Sequence, residues 1–187
     1  REALDYEVRI DKHEHWCRAA ERSDVVIHLF GLHEYEPTPE SLNILWIISH
    51  VDKIHRAQLL RYDYIFCASR KVAEHVAELA PEIKHAVLYQ CTDTRVFYPD
   101  PRVERDIDVL FIGNSRRIYR DAVRFAVEAG VDVKVWGTKW EQFIPAHHIQ
   151  GQSVQSAEVA ELYRRARVVL NDHWEDQREY GLVNNRI

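Results

Sequence analysis

The sequence predicts an α/β protein built from two doubly wound units, each a parallel sheet flanked by helices. Three observations predict it. Short runs that are apolar throughout alternate with stretches of helical period, polar turns separate the two kinds, and a proline-rich break near residue 100 interrupts an alternation that then begins again. Continuous apolar runs suit strands covered on both faces, as in a parallel sheet between helical layers.

The first unit is read over residues 1–100. Residues 8–10 predict a short strand and 15–21 a polar helix, after which Ser23-Asp24 punctuates. Residues 25–30 form the next apolar run. Beyond a turn region holding Pro37 and Pro39, residues 43–49 are β-rich, and 64–68 make a fourth run. Ser69 stands where an N-cap belongs, before a helix over 70–79 whose Val72, Val76 and Leu79 share one face. Residues 87–89 predict the last strand of the unit. In Tyr98-Pro99-Asp100-Pro101 two prolines remove amide donors and fix their own backbone angles, so neither sheet nor helix runs through.

The second unit is read over residues 101–187. It holds a strand at 109–112, a helix at 119–129 closed by Gly130, and a strand at 133–136. Ile149 marks a short edge strand, Ser156 caps a helix over 158–165, and 168–170 is another strand. Arg1 opens the chain in what reads as a helix end, residue 187 falls inside a new apolar pattern, and there is no methionine. The sequence therefore reads as part of a longer protein, truncated at both ends.

Composition narrows the function classes. With 46% hydrophobic and 29% charged residues the chain has the balance of a soluble globular protein. Its best apolar run, residues 44–48, is strand-sized, far short of the roughly 20 residues of a membrane span. The 3 cysteines lack any C-x-x-C pair, which argues against a disulfide framework or a zinc knuckle and fits a reducing compartment. A net charge of −5 offers no footprint for nucleic acid. A cytoplasmic protein is expected.

Two turns suit a phosphate. Gly113-Asn114-Ser115 follows an apolar strand and precedes a predicted helix, so the backbone can approach a ligand and the helix start offers unpaired amides. Arg116, Arg117 and Arg120 follow and can neutralise a diphosphate; solvated arginines after a plain turn are the other reading. There is no G-x-G-x-x-G and no G-K-S/T, which disfavours dinucleotide and P-loop sites. The second candidate is Gly181 to Arg186, with Leu182 in its turn, where Asn184 or Asn185 can cap a helix and Arg186 can add charge. His50 follows the strand at 43–49, at the carboxyl edge where ligands of parallel sheets gather.

Three other pairs are weighed and set aside. Asp106-x-Asp108 precedes an apolar strand, where solvation of the strand start explains both acids; a manganese-binding pair of this kind follows its strand. His13-x-His15 lacks a recognisable third metal ligand. His147-His148, beside Pro145, reads as exposed polar surface.

Several segments, in order, resemble the retaining glycosyltransferases of the two-Rossmann GT-B architecture, above all family 4 (glycosyl transferase group 1) and its spore-maturation-protein-like branch. Tyr62-Asp63-Tyr64-Ile65-Phe66-Cys67-Ala68-Ser69 is similar to that family's step from hydrophobic strand through Ser to helix. Asp93-x-x-x-Phe97-x-Pro99 resembles the element ending its first domain, and residues 109–120 the strand and glycine turn opening its second. Leu170-Asn171-Asp172-His173-Trp174 and Gly181-Leu182-Val183-Asn184-Asn185-Arg186 resemble its last donor-site loop and the helix behind it. The family's Glu-x7-Glu pair is departed from: Glu179 matches the first acid, but Ile187 stands eight residues later.

The resemblance implies two Rossmann-like units and transfer of a sugar from a UDP- or GDP-sugar to a hydroxyl acceptor, glycan or lipid-linked, with retention. It implies a cytoplasmic enzyme of polysaccharide or glycan assembly, peripheral at the inner face of the membrane, needing no metal and no cofactor. Gly113, Asn114, Arg117, Arg120, Gly181, Leu182, Asn184 and Arg186 are then donor-binding residues. His50 would hydrogen-bond the reacting sugar, and Glu179 would hold sugar or ribose hydroxyls. A non-catalytic nucleotide- or sugar-binding module and a nucleotide-sugar epimerase remain the alternatives.

Overall fold

The structure, a computed structural model, describes residues 5–11 and 23–183. The predicted helix at 15–21, His13, His15, Asn184 and Arg186 lie outside the described residues. Two compact units divide what is described: residues 5–90 together with 173–183, and residues 91–172. The boundary expected near residue 100 would put everything beyond it in the second unit. Residues 173–183 instead belong to the first, because Leu182 is buried in that unit's core with Tyr180 packed against it. The Ser69 hydroxyl also donates to the Tyr180 carbonyl at 2.5 Å.

The first unit is a four-stranded, all-parallel sheet in the order β1-β2-β3-β4, comprising β1 (Val25–Leu29), β2 (Leu42–Ile47), β3 (Tyr64–Cys67) and β4 (His85–Val87). Helix α1 (Arg56–Leu59) joins β2 to β3, and α2 (Arg70–Leu79) joins β3 to β4. The Ser69 Oγ accepts the Val72 amide at 3.0 Å, satisfying one of the orphan donors at the start of α2. Alternate residues of the strands (Leu45, Ile47, Ile65 and Cys67) pack with Val51, Leu59, Val72 and Val76, all fully buried. Each such side chain contributes on the order of 1.5–3 kcal/mol.

Both faces of this sheet were expected to be covered. Instead Val25, Ile27 and Leu29 are about half exposed, at 48%, 58% and 52%. The topology explains it. Every step from β1 to β4 goes the same way across the sheet, and right-handed crossovers then put α1 and α2 on one face. The strand predicted at 8–10 is absent; Tyr6, Val8 and Ile10 are exposed, and no described strand pairs with them.

The second unit is also four-stranded and all-parallel, with β5 (Ile107–Ile112), β6 (Val133–Trp136), β7 (Ile149–Gly151) and β8 (Ala166–Val169). Helix α3 (Asp121–Glu128) follows β5 and α4 (Ser156–Arg165) precedes β8. The strand order is β7-β6-β5-β8. The chain therefore builds outward through three strands, then returns through α4 to lay β8 on the other side of β5. Adjacent residues of β5 point to opposite faces. Phe111 packs with Val123, Val133, Val135 and Trp140, while Leu110 packs with Leu162 and Ala166. This strand is buried on both sides, and both sheets are Rossmann-like. Ser156 is the first residue of α4 rather than its cap; Gln155 caps it, its amide donating to Glu158 Oε2 at 3.0 Å.

Candidate functional site

In an open parallel sheet the strand order reverses at one point, and there the loops leaving the carboxyl ends of neighbouring strands diverge and leave a crevice. In the second unit that point lies between β5 and β8. The turn beginning at Gly113 leaves β5 there, and Leu170 to Asp172 leave β8.

The Gly113 turn is tied to the loop leaving β6. Gly113 donates its amide to the Trp136 carbonyl at 2.8 Å and accepts the Trp140 indole N–H at 2.8 Å. Asn114 Oδ1 accepts the Thr138 amide at 2.9 Å, and the Ser115 amide donates to the Thr138 carbonyl at 3.0 Å. The fully buried Ser115 donates its hydroxyl to the Lys139 carbonyl and accepts the Arg117 amide at 3.1 Å. A Cβ on Gly137 would lie 2.2 Å from the Gly113 oxygen, so the second loop needs glycine at its closest approach. Gly113 thus brings its backbone against another loop.

Arg116 and Arg117 lie ahead of the helix, both left-handed with φ of 56° and 64°. Lys139 on the neighbouring loop is left-handed as well, with φ of 66°. Such backbone costs about 1 kcal/mol or more for a side-chain-bearing residue and collects where surrounding structure over-determines it. Arg117 and Lys139 are exposed, and neither forms a salt bridge among the described residues. Helix α3 begins only at Asp121, whose own carboxylate already sits in the first turn. The helix amides are therefore a poorer anion cradle than the sequence suggested, and exposed cations are the stronger feature of the turn.

Arg120, expected as a free donor-binding cation, is buried and committed. Its guanidinium pairs with both Asp172 oxygens, with Nε to Oδ2 at 3.1 Å, donates to the Asn114 carbonyl at 3.2 Å, and lies 4.9 Å from the Phe111 ring centre. It bridges the two loops of the switch point and holds them in register. The sequence places Ser115 in the turn and Asp172 in the resembled donor-site loop without giving either a partner, and Lys139 went unnoticed. One signal was available: Val133 to Lys139 repeats the pattern of Val109 to Ser115, an apolar strand followed by Gly and two polar residues.

The remaining candidates belong to the first unit. His50 lies three residues beyond β2, at the carboxyl edge of that sheet, with φ of 54°. Its Nδ1 is 2.9 Å from Ser49 Oγ, which itself donates to the Phe30 carbonyl at 3.3 Å. Glu179 ends helix α5 (Glu175–Glu179) with an exposed side chain, and its carbonyl accepts the Lys71 ammonium at 2.9 Å. Gly181 supplies the left-handed residue, φ 62°, that terminates α5. Leu182, expected at the donor, is 3% exposed in the core, and its amide donates to the Gln177 carbonyl at 2.8 Å. It is a packing residue. The donor residues read from the sequence are therefore divided: Gly113, Asn114, Arg117 and Arg120 in one unit, Gly181 and Leu182 in the other.

The acids set aside as a metal pair have arginine partners. Asp106 pairs with Arg165, whose hydrogen bonds hold its carboxyl below the usual range, and Asp108 lies 3.4 Å from Arg167. Both are at the amino-terminal edge of the sheet. No group of three potential metal ligands occurs among the described residues. His148, expected on the surface, is 6% exposed, with Nδ1 3.0 Å from the Val133 carbonyl. No helix among the described residues is long and apolar enough to cross a membrane. No family model matches the chain, and no curated protein matches its sequence.

Proposed function

We propose that the chain serves a retaining glycosyltransferase that moves a sugar from a UDP- or GDP-sugar to a hydroxyl acceptor in polysaccharide or glycan assembly. The observation that carries this reading is the cationic turn at the strand-order reversal of the second unit. Gly113, Asn114 and Ser115 form the turn, and Arg117 extends from it. Departure of a nucleoside diphosphate from an activated sugar develops negative charge on the leaving oxygen. A guanidinium placed there offsets that charge without needing a metal. Arg120 acts here as the residue that fixes the loops, through Asp172. In the first unit, the His50 imidazole, at the carboxyl edge of its sheet, is suited to hydrogen-bond a sugar hydroxyl.

Arg117→Ala tests the reading. A charge-assisted hydrogen bond contributes on the order of 1.5–3 kcal/mol, so the variant should bind UDP or GDP roughly ten- to a hundredfold more weakly. The nucleosides should bind it as they bind the wild type. Arg124→Ala is the control, since that guanidinium pairs with Asp121 on α3. Calorimetry showing equal diphosphate affinity for Arg117→Ala and wild type would move the phosphate site elsewhere.

A binding module without catalysis is the second reading. It is favoured by Glu179, exposed at the end of a short helix and with Ile187 where the family's second acid would stand. Hydrolysis or transfer of the donor sugar separates the two readings.

A further inference from the structure

We infer that Lys139, on the loop leaving β6, is the second cation of the diphosphate site, and that the anion is held between two loops joined by the Ser115 hydroxyl. The inference rests on the function proposed above and adds to it a residue and a geometry. Ser115 Oγ touches the backbone of both cationic residues, donating to the Lys139 carbonyl and accepting the Arg117 amide at 3.1 Å. With standard bond lengths, that chain of contacts holds the two Cα atoms within about 10 Å of each other. Each side chain reaches more than half that distance, so the ammonium and the guanidinium can meet on one diphosphate.

Three further facts point the same way. Both residues adopt left-handed backbone, φ 64° and 66°, where glycine would be the cheaper choice. Both are exposed, and neither forms a salt bridge among the described residues, whereas Arg120, Arg124, Lys134, Arg164 and Arg165 of the same unit are all paired. The loops are also fixed to one another by the Gly113–Trp136, Asn114–Thr138 and Ser115–Thr138 hydrogen bonds, so the backbones that carry the two cations are held in place.

The test is calorimetry of this chain with UDP, GDP, inorganic pyrophosphate and the two nucleosides. Lys139→Ala should weaken UDP, GDP and pyrophosphate about tenfold and leave the nucleosides unchanged. Lys139→Arg should restore affinity to within about threefold, and Lys139→Ala combined with Arg117→Ala should lose about a hundred- to a thousandfold. Lys139→Gly relaxes the left-handed backbone, so it should melt no lower than wild type while still losing the affinity; that excludes unfolding as the cause. If Lys139→Ala binds diphosphates as wild type does while Arg117→Ala is weakened, the two-loop inference is overturned and the proposed function stands. If wild type binds none of the three anions, both are overturned.

Discussion

His28 illustrates how burial, rather than a charged partner, sets the behaviour of a single residue. It projects from β1 into a cluster with Tyr35 and Tyr62, its Nδ1 2.7 Å from the Tyr62 hydroxyl, and is 5% exposed. Burial first, and the Arg61 charge second, lower its pKa from 6.5 to about 4. The folded state therefore keeps His28 neutral where the unfolded chain protonates it. Its contribution is fully present above pH 6.5 and is lost as pH falls towards 4, with about one proton taken up on unfolding in that window. Denaturant titrations from pH 7 to 4 should show that slope, and His28→Leu should flatten it whatever its effect on absolute stability. An unchanged slope in the variant would mean another group titrates. By contrast Asp93 and Asp100, held down to about 2 by Arg95 and Arg102, act only at much lower pH. Burial likewise raises the Cys67 thiol to about 12, leaving it unreactive near neutrality. What was illegible at this scale is partnership across sequence distance. Arg120 reads locally as one more exposed arginine, and nothing near it announces that Asp172 takes its charge.

Among the elements, strands were the most legible, since an apolar run bounded by polar turns is a local signal: β6 begins and ends where expected, and β1, β3 and β8 lie within a residue or two of expectation. Ser69 was legible as a cap for the same reason. The start of α3 lies within two residues of expectation, but the backbone of the turn before it was not legible. There the buried Ser115 hydroxyl is taken by the Lys139 carbonyl, and two left-handed residues precede the helix that begins at Asp121. That hydrogen bond comes from another loop and leaves no trace in the local pattern. The glycines of these loops differ accordingly in what they tolerate. Gly137→Ala brings a Cβ within 2.2 Å of the Gly113 oxygen and should cost upwards of about 2 kcal/mol, lowering Tm by roughly 10 °C. At Gly130 the φ of 75° is the only obstacle, nothing lying within 4 Å, and Gly130→Ala should cost about 1 kcal/mol. Gly31 meets no atom within 4 Å and needs no left-handed backbone, so Gly31→Ala should melt with the wild type. Equal melting of the three variants would refute the close packing of the two loops.

Across the molecule, two parallel sheets followed from the repetition of strand and helix on either side of the prolines. Their different topologies did not. One sheet steps in a single direction and carries α1 and α2 on one face; the other reverses at β5 and buries that strand on both. Among the described residues the second sheet alone has a switch point, where loops diverge and leave room for a ligand. Residues 173–183 follow the second unit in sequence yet belong to the first, and this divides the donor residues that a linear reading had grouped together. The turn after β5 is proposed to bind a nucleoside diphosphate through cations and without a metal. Titration of the chain with UDP and GDP, first in EDTA and then with Mn²⁺, tests it most directly. Binding that persists in EDTA, exceeds that of the nucleosides and is unchanged by Mn²⁺ is the predicted result. Affinity that collapses on chelation and returns with Mn²⁺ would contradict it, turning attention to Asp106 and Asp108 at the opposite edge of the sheet.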